Sequence, residues 1–207
     1  MTQPIQPFTP QEIVNNYGWM MQDVKQRLKL IREINMRTRT LGTNLYDIET
    51  CCLNFRKILE IIAMANMISN QDEYLAAYNN FASHWNAKKI IAFLENVNPN
   101  FYPTPIQVNV SSQIDRWDDI NNGSLTKEEF IEIYNDTSPV LHTRNPFTPP
   151  PDQAYFQAYI VKFKAWHDKI MLLLQNHSIE LQSGNLLIVQ LDNEEGHARV
   201  NWFALES

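Results

Sequence analysis

The sequence predicts a mainly α protein, a helical bundle of about five helices that ends in a C-terminal β-hairpin. Three observations carry this. Apolar residues recur at three- and four-residue spacing along most of the chain, capping signatures precede several of those runs, and short apolar segments with a polar turn between them replace that spacing near the end. With 44% hydrophobic residues in 207, the chain has enough apolar side chains for one contiguous core. The expected organisation is a flexible arm over 1–8 and a single helical domain over 9–207, in which 179–207 form a hairpin packed on the helices.

The arm carries two prolines and two amides. Thr9 as N-cap, Pro10 at the first helical position and Glu12 three residues after the cap then form a capping box. Ile13, Val14, Tyr17, Met20, Met21, Val24, Leu28, Ile31 and Ile34 continue a helix expected to reach about Arg39, with Gly42 as its stop. Its other face is basic in the second half, with Lys25, Arg27, Lys29, Arg32, Arg37 and Arg39. Gly18 lies inside this helix between Tyr17 and Trp19, a position that suggests close contact with another helix.

A second helix, from about 45 to 68, is apolar on most sides and belongs in the middle of the bundle. Asn70 opens a third, through Trp85 to about Val97, where the prolines of 98–105 end it. A short strand is expected at 106–110. Thr126 and Glu129 make a second capping box for a helix to about Asp136, and Asp152 caps a last helix to about Asn176. The segments 186–191 and 198–203 read as the two strands of the hairpin, which needs packing or another strand to be stable.

Composition excludes several functions. Only five glycines are present, and no two are closer than twelve residues, so neither phosphate-cradling loop nor nucleophile elbow can form. Lys plus Arg total 17 against 23 Asp plus Glu, giving a net charge of −6, which disfavours nonspecific nucleic-acid binding and leaves room only for a local basic groove. The N-terminal residues show no signal-peptide pattern and no stretch has the length of a membrane span, so the expected compartment is the cytoplasm. Cys51 and Cys52 read as buried small side chains, and neither a metal site nor a cofactor is expected.

Four constellations carry candidate chemistry. Residues 118–129 place Gly123 and Glu129 at positions 6 and 12 of a calcium loop, but position 3 is Ile120, which has no oxygen to give, so a polar turn before a capped helix is the better reading. His142, Arg144 and Asn145 converge in a proline-bounded loop between the apolar anchors Leu141 and Phe147, where the histidine could move a proton and the arginine hold a phosphate. In the plainer alternative they satisfy carbonyls or pair with Glu60. Arg56 and Glu60 share a face of the central helix, four residues apart, and call for either an internal ion pair or a cleft. Trp85 and Lys88, in His84-Trp85-Asn86-Ala87-Lys88-Lys89, place an aromatic beside basic groups, as nucleic-acid surfaces do, although a core tryptophan beside solvated lysines explains them as well.

The stretch Leu53-Asn-Phe-Arg56-Lys-Ile-Leu59-Glu60 with Leu141-His142-Thr-Arg144-Asn145-Pro146 resembles a pattern in uncharacterised bacterial helical proteins and, more distantly, the HEPN superfamily of prokaryotic helical bundles. That resemblance implies a ribonuclease or a dimeric interaction module of stress and phage-defence systems. HEPN ribonucleases carry an arginine followed by a histidine four to six residues later, and none of the five histidines here has an arginine four to seven positions before it. The resemblance therefore implies a non-catalytic module that binds a protein partner or itself. The alternative is a metal-independent ribonuclease rebuilt from Arg56, Glu60, His142 and Arg144, which keeps RNA among the partners. A third reading is a regulatory protein that offers its C-terminal hairpin to a partner.

Overall fold

The first helix, α1 (Pro10–Asn35), starts as its capping box dictates. The Thr9 hydroxyl accepts from the Glu12 amide at 3.3 Å, and the Glu12 carboxylate accepts from the Thr9 amide at 2.8 Å. The computed structural model describes residues 8–69, 87–109, 116–181, 184–192 and 196–204, so the expected arm lies outside the described residues up to position 7. Ile13, Tyr17, Met21, Val24, Leu28, Ile31 and Ile34 are all buried, and each contributes about 1.5–3 kcal/mol on leaving water.

The helix ends four residues before the expected Arg39. Arg37 takes the left-handed conformation at φ 60°, its amide donates to Ile34 O and the Thr38 amide donates to Glu33 O, both at 3.0 Å. This pair of bonds closes the helix without a glycine. The Arg37 side chain offsets part of the conformational cost, since Nη1 donates to Asn44 Oδ1 at 2.8 Å at the start of the next helix. Within the connection, buried Asp47 accepts from the Leu41 amide at 2.7 Å and from the Thr40 hydroxyl at 3.0 Å.

Helix α2 (Asn44–Ala65) is buried on most sides and passes into a 3-10 turn at Asn66–Ser69. Cys51 and Cys52 are buried free thiols, and burial, aided by the Asp47 charge, pushes the Cys51 thiol up to about 12. The first part of the expected third helix, with Trp85, lies outside the described residues. Its second part is α3 (Ala87–Val97). Helix α4 (Lys127–Thr137) has the expected capping box of Thr126 and Glu129, and α5 (Gln153–Leu174) begins at Asp152, whose Oδ1 accepts from the Tyr155 amide at 2.8 Å. Phe55 of α2 packs edge-on to Trp166 of α5 with centroids 5.3 Å apart, which ties the two helices together.

The mainly α class stands, but the β part is larger than a hairpin. Strands β1 (Thr104–Asn109), β2 (Arg116–Asp119), β3 (Asn176–Glu180), β4 (Leu186–Gln190) and β5 (Arg199–Phe203) form one antiparallel sheet in the order β2-β1-β3-β4-β5. The expected hairpin exists as β4 and β5, with Ile188 opposite Asn201. Its other side is taken by β3, paired with β4 over five residues, and β1 joins β3 at Thr104↔Ser178 and Pro105↔His177. The last helix therefore stops at Leu174 and the chain enters β3 almost at once, which corrects the expected helix end near Asn176. The added strands satisfy backbone groups that a two-stranded ribbon would leave to water.

Trp117 of β2 and Phe203 of β5 meet edge-on with centroids 5.5 Å apart, although their strands stand at opposite ends of the sheet order. The sheet is thus strongly curled. Helix α1 packs across it, and a Cβ on Gly18 would lie 3.7 Å from Val200 Cγ2 of β5. The close neighbour of Gly18 is a strand rather than a helix, and an ordinary van der Waals distance is left there.

Candidate functional site

Arg56 is the best-anchored of the expected site residues. It leaves α2 toward α4, where Nη2 donates to the Tyr134 hydroxyl at 2.5 Å and Nη1 donates to the Ser138 hydroxyl at 2.7 Å. The guanidinium carbon also stands 3.9 Å from the Tyr134 ring centroid, a cation–π contact in a largely desolvated setting. Ser138 in turn donates to Tyr134 O at 3.1 Å. Glu60 approaches Arg56 at 3.8 Å and takes Lys57 Nζ at 2.9 Å. The expected intrahelical pair is present, and Tyr134 and Ser138 extend it into a clamp between α2 and α4.

The 141–151 loop is held differently. His142 is exposed, and Arg144 Nη2 donates to Pro149 O at 2.5 Å within its own loop. Asn145 Oδ1 accepts from the Phe147 amide at 3.0 Å, and the Thr148 hydroxyl donates to Asn145 O at 2.7 Å, so this residue closes a turn. Leu141 packs on the core as an anchor should, but Phe147 is 93% exposed and anchors nothing. Lys88 is exposed on α3. The calcium-like stretch is also spoken for: Asp118 and Asp119 belong to β2, and Glu129 serves the capping box and an ion pair with Lys169.

A groove of about 220 Å³ opens between α1 and α5. Lys25, Lys29 and Arg32 reach it from α1 at spacings of four and three, and His167 and Met171 reach it from α5 at a spacing of four. Leu28, Met171 and Leu191 give it an apolar lining, and Asp192 is the single carboxylate among its described lining residues. Lys25 binds Asp192 Oδ1 and Gly196 O, each at 2.6 Å, and so fixes one rim. Burial, reinforced by the Arg32 charge, holds the His167 imidazole below the ordinary histidine range, against the opposing pull of Asp168. The sequence shows half of this groove as the basic face of the first helix. The other half depends on which residues of the last helix stand opposite, and no local pattern announces that.

Away from the groove, His177 is wholly buried. His177 Nδ1 lies 2.9 Å from Leu174 O, which can only accept, so that nitrogen carries the proton and Nε2 accepts from the Tyr17 hydroxyl at 2.8 Å. This pair holds α1 to β3.

Among the described residues no helix is long and apolar enough to cross a membrane. Compared with protein-family models, curated proteins and solved structures, the chain matches none of them.

Proposed function

We propose that the chain is a non-catalytic, HEPN-like interaction module of a bacterial stress or defence system, acting through contact with a protein partner or a second copy of itself. The observation that supports this reading is the bonding of Arg56. An arginine that stabilises phosphate charge must present its donors to the reacting group, whereas two Arg56 nitrogens bind Tyr134 and Ser138 and its face lies on a ring. Arg144 and Asn145 are likewise bonded within their own loop. The rival, a ribonuclease rebuilt from Arg56, Glu60, His142 and Arg144, is tested by incubating the purified chain with single-stranded RNA. The expected result is no cleavage above the buffer blank, unchanged in His142→Ala and Arg144→Ala. Cleavage that His142→Ala abolishes would make the chain an enzyme.

The position of β5 favours a second reading in which the partner adds a strand to the sheet. β5 ends the strand order, and a partner strand added there would pair beside the Trp117–Phe203 contact that the curled sheet makes with β2. With a second copy as partner, amide-exchange protection at 199–203 rises with protein concentration. Exchange that ignores concentration counts against this route.

A further inference from the structure

The α1–α5 groove stands apart from both the Arg56 clamp and the sheet edge. Three cationic side chains and one histidine from two helices converge on a single recess, in a chain whose overall charge is negative. Lys25 is engaged by Asp192 and Gly196. Among the described residues, Lys29 has only a distant carboxylate, Glu33 at 3.9 Å, and the exposed Arg32 guanidinium has no carboxylate partner. His167 completes the polar wall, its ring set by a bond to the Leu28 backbone and by Asp168 at 3.6 Å. Leu28, Met171 and Leu191 form an apolar floor beside these groups.

That combination selects a ligand with a multiply charged head and a short apolar body. The Arg32 fork alone would engage both oxygens of a carboxylate, leaving Lys29 without a counterpart. A phosphomonoester offers three terminal oxygens and nearly two charges, which matches an arginine and a lysine together. A nucleic-acid backbone fits less well, because strand binding needs a continuous basic track with stacking aromatics, while the Lys25–Asp192 link fixes one rim of this recess. The volume also suits a small occupant. We propose that the groove binds a terminal phosphomonoester, with the phosphate on Arg32 and Lys29 and the attached apolar body on Leu28, Met171 and Leu191.

The full chain is titrated calorimetrically with phenyl phosphate, inorganic phosphate and benzoate, in the wild type, Arg32→Ala, Lys29→Ala and Lys162→Ala. Arg32 and Lys29 are exposed, so their removal leaves the fold intact, and Lys162 pairs with Asp136 away from the groove. Phenyl phosphate is expected to saturate and to bind more tightly than inorganic phosphate or benzoate. Arg32→Ala and Lys29→Ala each weaken it about tenfold, and Lys162→Ala leaves it unchanged. Short RNA with a 5′-phosphate or a 5′-hydroxyl identifies the source of the phosphate: preference for the phosphorylated end supports a nucleic-acid terminus, and binding of phenyl phosphate alone supports a small molecule. Absence of saturable phenyl phosphate binding, equal affinity for benzoate, indifference to Arg32→Ala, or equal binding of the two RNAs would overturn the assignment. None of these readouts involves RNA cleavage, so the groove and the non-catalytic reading fail separately.

Discussion

The Tyr17 hydroxyl donates to His177 Nε2 at 2.8 Å across 160 positions of sequence, and both side chains are buried. This bond fixes the histidine as a neutral ring, and burial lowers its pKa from the ordinary 6.5 to about 4. The unfolded chain takes up a proton on His177 near pH 6.5, whereas the folded chain resists until about pH 4, so acid favours unfolding. The stability from this group is complete above pH 6.5 and declines as pH falls through that window, by about 3 kcal/mol in all. Urea unfolding at pH 7, 5.5 and 4, with the ring titrated by NMR, checks this. A His177 signal that titrates near 6.5 would contradict it.

Tyr17→Phe removes the donor and leaves Nε2 unsatisfied in the core. A loss of about 1–3 kcal/mol is expected, with native secondary structure retained by circular dichroism. Equal stability to the wild type would show that the hydroxyl contributes nothing there.

Gly18 is a helix-interior glycine with room for a methyl group, since the added Cβ would sit 3.7 Å from Val200 Cγ2. Gly18→Ala should stabilise the protein by about 1 kcal/mol through helix propensity. A raised midpoint in thermal unfolding is the expected result, and a lowered one would mean that α1 lies closer to β5 than this contact indicates.

Asp47 organises the α1–α2 connection from a buried position, accepting from the Leu41 amide and the Thr40 hydroxyl. Asp47→Ala leaves the Leu41 amide without its acceptor and should cost about 2–3 kcal/mol. Hydrogen exchange should accelerate first at residues 37–43. Unchanged exchange there would place the stability of the connection elsewhere.

Much of the helical part was legible in the sequence because its signals are local. The caps at Thr9, Thr126 and Asp152 and the apolar series of α1 are patterns within a few residues of one another. The end of α1 was not, because an arginine rather than a glycine takes the left-handed position. The sheet was hidden for a different reason. β2 reads Arg-Trp-Asp-Asp and β3 reads Asn-His-Ser-Ile-Glu, compositions with little strand preference of their own; they become strands through pairing, β2 with the neighbouring β1 and β3 with the neighbouring β4 and with β1 far back in the chain. The candidate site divides in the same way: the Arg56–Glu60 pair follows from spacing on one helix, whereas Tyr134 and Ser138 reach Arg56 only through the packing of α4 on α2.

Its bonds and ring contact set Arg56 to hold α2 to α4 rather than to handle phosphate. A double-mutant cycle of Arg56→Ala and Tyr134→Phe, read as unfolding free energies, tests it most directly. The bonding predicts that Arg56→Ala alone costs about 2 kcal/mol or more and that the two residues are coupled by about 1 kcal/mol. An Arg56→Ala protein of wild-type stability with no coupling to Tyr134 would contradict that role and return Arg56 to the list of groups available for chemistry.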